Sequence, residues 1–103
     1  MGNEVTEDEL TGARIRVPDH VVFRAFESET VLLNLRTGQY HGLNATGGRV
    51  LALLKETGSV PATAAGVAAE FSRPVDEVTR DVVQLCNDLA ARGLIDVLAP
   101  PAA

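Results

Sequence analysis

The chain has 103 residues, 46% apolar and 22% charged, with a net charge of -5, which suits one globular domain. Its acidic balance works against a nucleic-acid partner, because phosphate binding needs Lys and Arg to replace counterions. A single cysteine excludes an internal disulfide, and no apolar run is long enough to cross a bilayer as a helix.

Residues 1–16 read as a flexible acidic arm. They lack the basic start and apolar run of a secretory signal, so the expected location is the cytoplasm. Val17-Pro18-Asp19 marks an entry turn into a domain spanning 17–98. His20–Phe26 is rich in β-branched and aromatic residues and predicts a first strand. After the polar turn Glu27-Ser28-Glu29, Thr30–Leu35 predicts a second strand, apolar enough to suggest burial on both faces. Gly38 allows a tight hairpin into a third strand, Gln39–Leu43. In a simple meander the second strand is central, and the third has a free edge.

Asn44 can cap a helix that runs from Ala45 to Thr57 and stops at Gly58. Ser59-Val60-Pro61 opens a second helix, ending near Phe71. After the Ser72-Arg73-Pro74 break, a third helix runs to about Arg92, with Gly93 as its stop. Leu94–Leu98 is a short strand or wing, and 99–103 a tail. The expected class is therefore α+β: a winged helix-turn-helix with an N-terminal three-stranded antiparallel sheet and three helices.

The third helix carries an unusually broad apolar stripe of about 160°, formed by Val75, Val78, Thr79, Val82, Val83, Leu85, Cys86 and Leu89. The simplest reading makes all of it core. The other gives one flank to the core and the second to a groove. Its polar face sets Arg80 and Arg92 against Asp76, Glu77, Asp81 and Asp88, which speaks against a DNA-reading helix. His20, His41 and Cys86 have no metal-motif spacing, and no nucleophile-base pair stands out. The expectation is a binding module, with no enzyme activity, cofactor or metal. The glycines of Asn44-Ala45-Thr46-Gly47-Gly48-Arg49 lack the lysine of a phosphate loop. They fit close helix packing better.

The segments Val21-Val22-Phe23-Arg24, Val31–Leu35, Thr37-Gly38-Gln39-Tyr40 and Leu43–Gly47, closed by Leu94-Ile95 after Arg92-Gly93, resemble the PqqD-like family. The likeness runs over about residues 17–97. Leu51 stands about where the family often has tryptophan. The resemblance implies recognition of the leader of a ribosomally made precursor peptide. It also implies a fold in which the leader adds as a strand between the third strand and the third helix. On this chain that places Leu33, Gln39, Tyr40, His41, Gly42 and Leu43 on one side, with Val75, Asp76, Val78, Thr79, Asp81 and Val82 on the other.

The small stand-alone leader-binding protein of lasso peptide systems, working beside a separate leader peptidase, is the most similar type. A chaperone for a radical enzyme or other modifying enzyme, and a winged-helix DNA regulator, are the alternatives. A leader side chain buried in such a groove contributes ~2 kcal/mol, so two anchors would dominate recognition. A proline at His41 is expected to weaken binding by deleting a strand donor, and aspartate at Val78 or Val82 to weaken it while sparing the fold.

Overall fold

The computed structural model describes residues 7–98, with side chains from Glu9 onward. The order is α1 (Glu7–Gly12), β1 (Arg14–Arg16), β2 (Val21–Ala25), β3 (Glu29–Asn34), β4 (Tyr40–Asn44), α2 (Ala45–Thr57), α3 (Val60–Phe71), α4 (Val75–Ala91) and β5 (Asp96–Leu98). β2, β3 and β4 form an antiparallel meander with β3 in the centre. The three expected strands and three expected helices are all there, within one residue or so at their ends.

Local chemistry sets the boundaries. The Asn44 side chain accepts the Gly47 N–H at 2.7 Å and starts α2, while Gly58, with φ 66°, ends it. Ser59 Oγ accepts the Ala62 N–H at 3.2 Å and starts α3. In the β3–β4 turn, Gly38 takes φ 74° and its N–H reaches the Asn34 carbonyl. The buried Asn34 side chain accepts the Arg36 N–H at 2.9 Å.

The core lies between one face of the meander and the helices. Thr30, Leu32 and Asn34 of β3 point into it. They meet α2, with Leu51 and Leu54 fully buried, and α3 and α4 complete the layer through Val60, Ala64, Val67, Val82, Cys86 and Leu89. α2 comes so close to β3 that a Cβ at Gly48 would overlap the Thr30 side chain. Close approach is thus the role of this glycine.

Two features differ from expectation. β3 is not buried on both faces. Val31 and Leu33 are only half-buried on the outer side, because the helices form one layer on one face. The arm read as flexible up to residue 16 is folded from Glu7 onward. Leu10 is fully buried, and β1 pairs antiparallel with β5, Ile15 opposite Val97. An Arg16–Asp96 ion pair at 2.8 Å and a bond from the Ile15 N–H to the Gly58 carbonyl fix this second sheet. Residues 1–6 and the tail 99–103 lie outside the described residues.

Cys86 is fully buried on α4, and burial pushes its thiol up to about 12 from 9.0. The fold therefore holds the proton more tightly than the unfolded chain does. The stabilisation is complete below pH 9 and drains away as pH rises toward 12, at up to about 1.4 kcal/mol per unit. Chemical denaturation at pH 7 and pH 10.5 should show a steeper alkaline loss for the parent than for Cys86→Ala.

Candidate functional site

In an antiparallel ladder, successive residues turn their N–H and C=O alternately toward one neighbour and away from it. The hairpin fixes the phase here. The Asn34 N–H donates to the Gln39 carbonyl, so the bonded β3–β4 pairs are Asn34 with Gln39, Leu32 with His41 and Thr30 with Leu43. Tyr40 and Gly42 consequently direct their main-chain groups away from β3. Among the described residues no strand pairs with that outer edge. It is a free template for an extended segment.

The same phase sorts the side chains. His41 and Leu43, opposite Leu32 and Thr30, are half-buried on the helix side. Tyr40 and Gly42, opposite Leu33 and Val31, lie on the outer face of the sheet, where Tyr40 is 70% exposed. Leu33 sits on the central strand behind Tyr40, and Gln39 is exposed at the turn. A guest strand would thus send alternate side chains inward beside His41 and Leu43. The strand donor that proline at His41 would delete is thus the one to Leu32 inside the sheet, and not one that faces a guest.

The expected helical side is reached from β4 through α2. This helix follows β4 directly, and Arg49 in its second turn pairs with Glu70 in the last turn of α3 at 2.9 Å. The α3–α4 turn then follows. It carries two exposed apolar side chains, Phe71 (44%) and Val75 (52%). Thr79, one turn on, is half-buried, with its hydroxyl bonded to the Val75 carbonyl at 2.7 Å.

Val78 and Val82 are 1% and 0% exposed, so they belong to the core. Aspartate at either would put a charge into the core and test the fold instead of the groove. Asp76 and Asp81 are both exposed but five residues apart, about 140° around the helix, so they flank opposite margins of the stripe.

Asp81 is also already engaged. Arg73 donates to Glu77 at 2.8 Å and to Asp81 at 2.9 Å. Those bonds, the one to Glu77 first, hold the guanidinium pKa above its ordinary value. Asp76 makes no ion pair among the described residues. Phe71 escaped the sequence reading because an aromatic at a helix end looks like core. Its position just before the Ser72-Arg73-Pro74 break was the available signal.

Two clefts lie elsewhere. One, of about 570 Å³, is lined by Arg16, His20, Leu35, Arg36 and Asp96; the other, of about 810 Å³, runs along α4 past Arg80, Gln84 and Asp88. Neither is lined by β4. An added strand needs an edge and not a cavity. Among the described residues no three His, Cys, Asp or Glu side chains gather as a cation site. No helix there is long and apolar enough to cross a membrane. At the two ends of α4, Arg73 pairs with Glu77 and Asp81, and Arg92 with Asp88 at 3.3 Å, leaving Arg80 among acids on its polar face.

The family model for Coenzyme PQQ synthesis protein D (PqqD) matches residues 29–95. The chain belongs to the PqqD family. That match takes in β3, β4 and all of α2, α3 and α4, so the open edge and the α3–α4 turn both fall within the PqqD domain. Among solved structures, TbiB1 in complex with the TbiA(beta) leader peptide is 34% identical, with a TM-score of 0.72 over 79% of this chain and 94% of that one. A lasso peptide synthetase B1 complexed with the leader peptide is 24% identical with a TM-score of 0.72, over 82% of this chain and 99% of that one, and shares the PqqD-domain fold. Among curated proteins none matches the sequence.

Proposed function

We propose that this PqqD-family chain binds the leader region of a ribosomally made precursor peptide, of the lasso type, as an added strand along β4. It then presents the leader to a separate processing enzyme such as the leader peptidase. The observation that carries this reading is the unpaired outer edge of β4, at Tyr40 and Gly42, in a domain 34% identical to one bound to a leader peptide. Main-chain pairing gives affinity that tolerates sequence change, and pockets for alternate side chains give selectivity. The inward-facing leader residues lie against His41 and Leu43 on the sheet. Val75, Thr79 and Phe71 form the apolar wall opposite, and Asp76 supplies charge at the rim.

The chain's contribution is binding and not bond-making, and its place of work is the cytoplasm. Regulation of DNA is disfavoured by the pairing of Arg73 and Arg92 with carboxylates.

Calorimetric titration with the leader of the precursor peptide encoded beside this chain tests the reading. The expected result is one-to-one binding, accompanied by the negative heat-capacity change of apolar burial. Thr79→Asp, on the half-buried flank of α4, should weaken it about tenfold, by setting a charge against an apolar anchor. No heat with that leader would sink the proposal.

A further inference from the structure

Gly42 has no structural need to be glycine. Its φ is not positive, and a Cβ there would meet only the Glu29 carboxylate, at 3.9 Å, an ordinary contact. Glycine inside a strand weakens it, and often marks a place where a ligand or another chain passes close by. The strand phase gives that loss a return. Gly42 is one of the two residues whose N–H and C=O face the free edge. A guest residue paired directly with it sends its own side chain to the outer face, beside the space Gly42 leaves bare.

That space is a corridor across β4. Its floor is Gly42 and the half-buried Val31 opposite. Tyr40 stands on one side of it and Asn44, opposite Glu29, on the other. The Glu29 carboxylate reaches into it from β3, 3.9 Å from where a Gly42 Cβ would lie, exposed and without an ion pair among the described residues. A side chain entering from the guest strand must cross one strand spacing, about 4.8 Å, before it meets that carboxylate. Lys and Arg have the reach, with an apolar stem to lie across the edge of β4 and donors to offer over Gly42.

We propose that Gly42 and Glu29 form an outer-face subsite that selects a lysine or arginine at the guest position paired with Gly42. The proposal rests on strand addition at β4 and deepens it. The inward anchors give the bulk of the affinity, while this subsite reads one residue from the opposite face. Gly42→Val would block the corridor with a branched side chain, and Glu29→Gln would remove the charge there.

The test is a display library of random linear peptides selected against the full chain, against Gly42→Val and against Glu29→Gln, each checked for folding by its melting curve. Peptides selected on the parent should share a Lys or Arg at one strand position. That preference should vanish on both variants, while the apolar positions stay as they were. One selected peptide and its counterpart with methionine in place of the basic residue should differ about fivefold in Kd on the parent, the scale of one exposed ion pair, and not at all on Glu29→Gln. If peptides bind the parent but show no basic position, or the preference persists on Glu29→Gln, the subsite is refuted and strand addition stands. If no peptide binds the parent, strand addition itself is refuted, and the subsite with it.

Discussion

A Gly42→Pro variant is expected to fold like the parent and to bind its leader roughly five- to 150-fold more weakly. Proline has no N–H and holds φ near -65°, so sheets accept it only where the missing donor would face outward on an edge strand. Position 42 meets that condition. Its N–H points away from β3, its φ is not positive, and the β3–β4 ladder is bonded through Gln39, His41 and Leu43. The loss then falls on the guest, whose carbonyl is left without its donor, at a cost of about 1–3 kcal/mol. That corresponds to roughly five- to 150-fold in Kd. His41→Pro, one residue earlier, has the opposite signature. It removes the bond to Leu32 inside the sheet and should lower the melting temperature before any peptide is added. Titration calorimetry and thermal melts on the two variants separate the edge from the ladder. Equal binding losses with equal melts would mean that the strand phase is not what governs recognition.

Gly48→Ala is the second large effect, and it acts on stability. A Cβ at this position would overlap Thr30 Oγ1 and lie 2.7 Å from Thr30 Cβ. Rotating the threonine relieves the first contact but not the second, because Cβ is fixed by the backbone. α2 must therefore move off β3, and it carries Leu51 and Leu54 with it, both fully buried. Overpacking of this kind costs about 1–3 kcal/mol, against the gain alanine normally brings to a helix interior. Denaturant unfolding should show a net loss of about 2 kcal/mol. Thr30→Gly weakens the strand by itself, but combined with Gly48→Ala it should cost less than the sum of the two single changes. Additive losses would mean that the helix and strand do not meet at this pair.

The movement of α2 has a functional side. α2 follows β4 without a linker and is tied to α3 by the Arg49–Glu70 pair. A displaced α2 therefore shifts the α3–α4 turn, with Phe71 and Val75, relative to the strand edge. Peptide binding should weaken in Gly48→Ala even under conditions where the chain is fully folded.

The sequence by itself determined the elements whose signals are local. Asn44, Gly58, Ser59 with Pro61, and Gly93 mark the helix ends, and Gly38 marks the hairpin. Capping, left-handed glycine and the fixed φ of proline each act over a few residues, so they are legible without coordinates. The segment Thr37–Gly47 also carried the resemblance that led to the leader-binding reading.

Long-range pairing decided the rest. Arg14–Arg16 finds Asp96–Leu98 some 80 positions away, and no local pattern announces that an acidic arm will close a sheet. The broad stripe of α4 could not be divided in sequence. Only packing on α3 puts Val78 and Val82 inside and leaves Val75 out, and only the Arg73 contacts take Asp81 out of play. The direction of each N–H on β4 is a two-state choice made by the hairpin register. A shift of one residue would have turned His41 to the edge and Gly42 to the ladder.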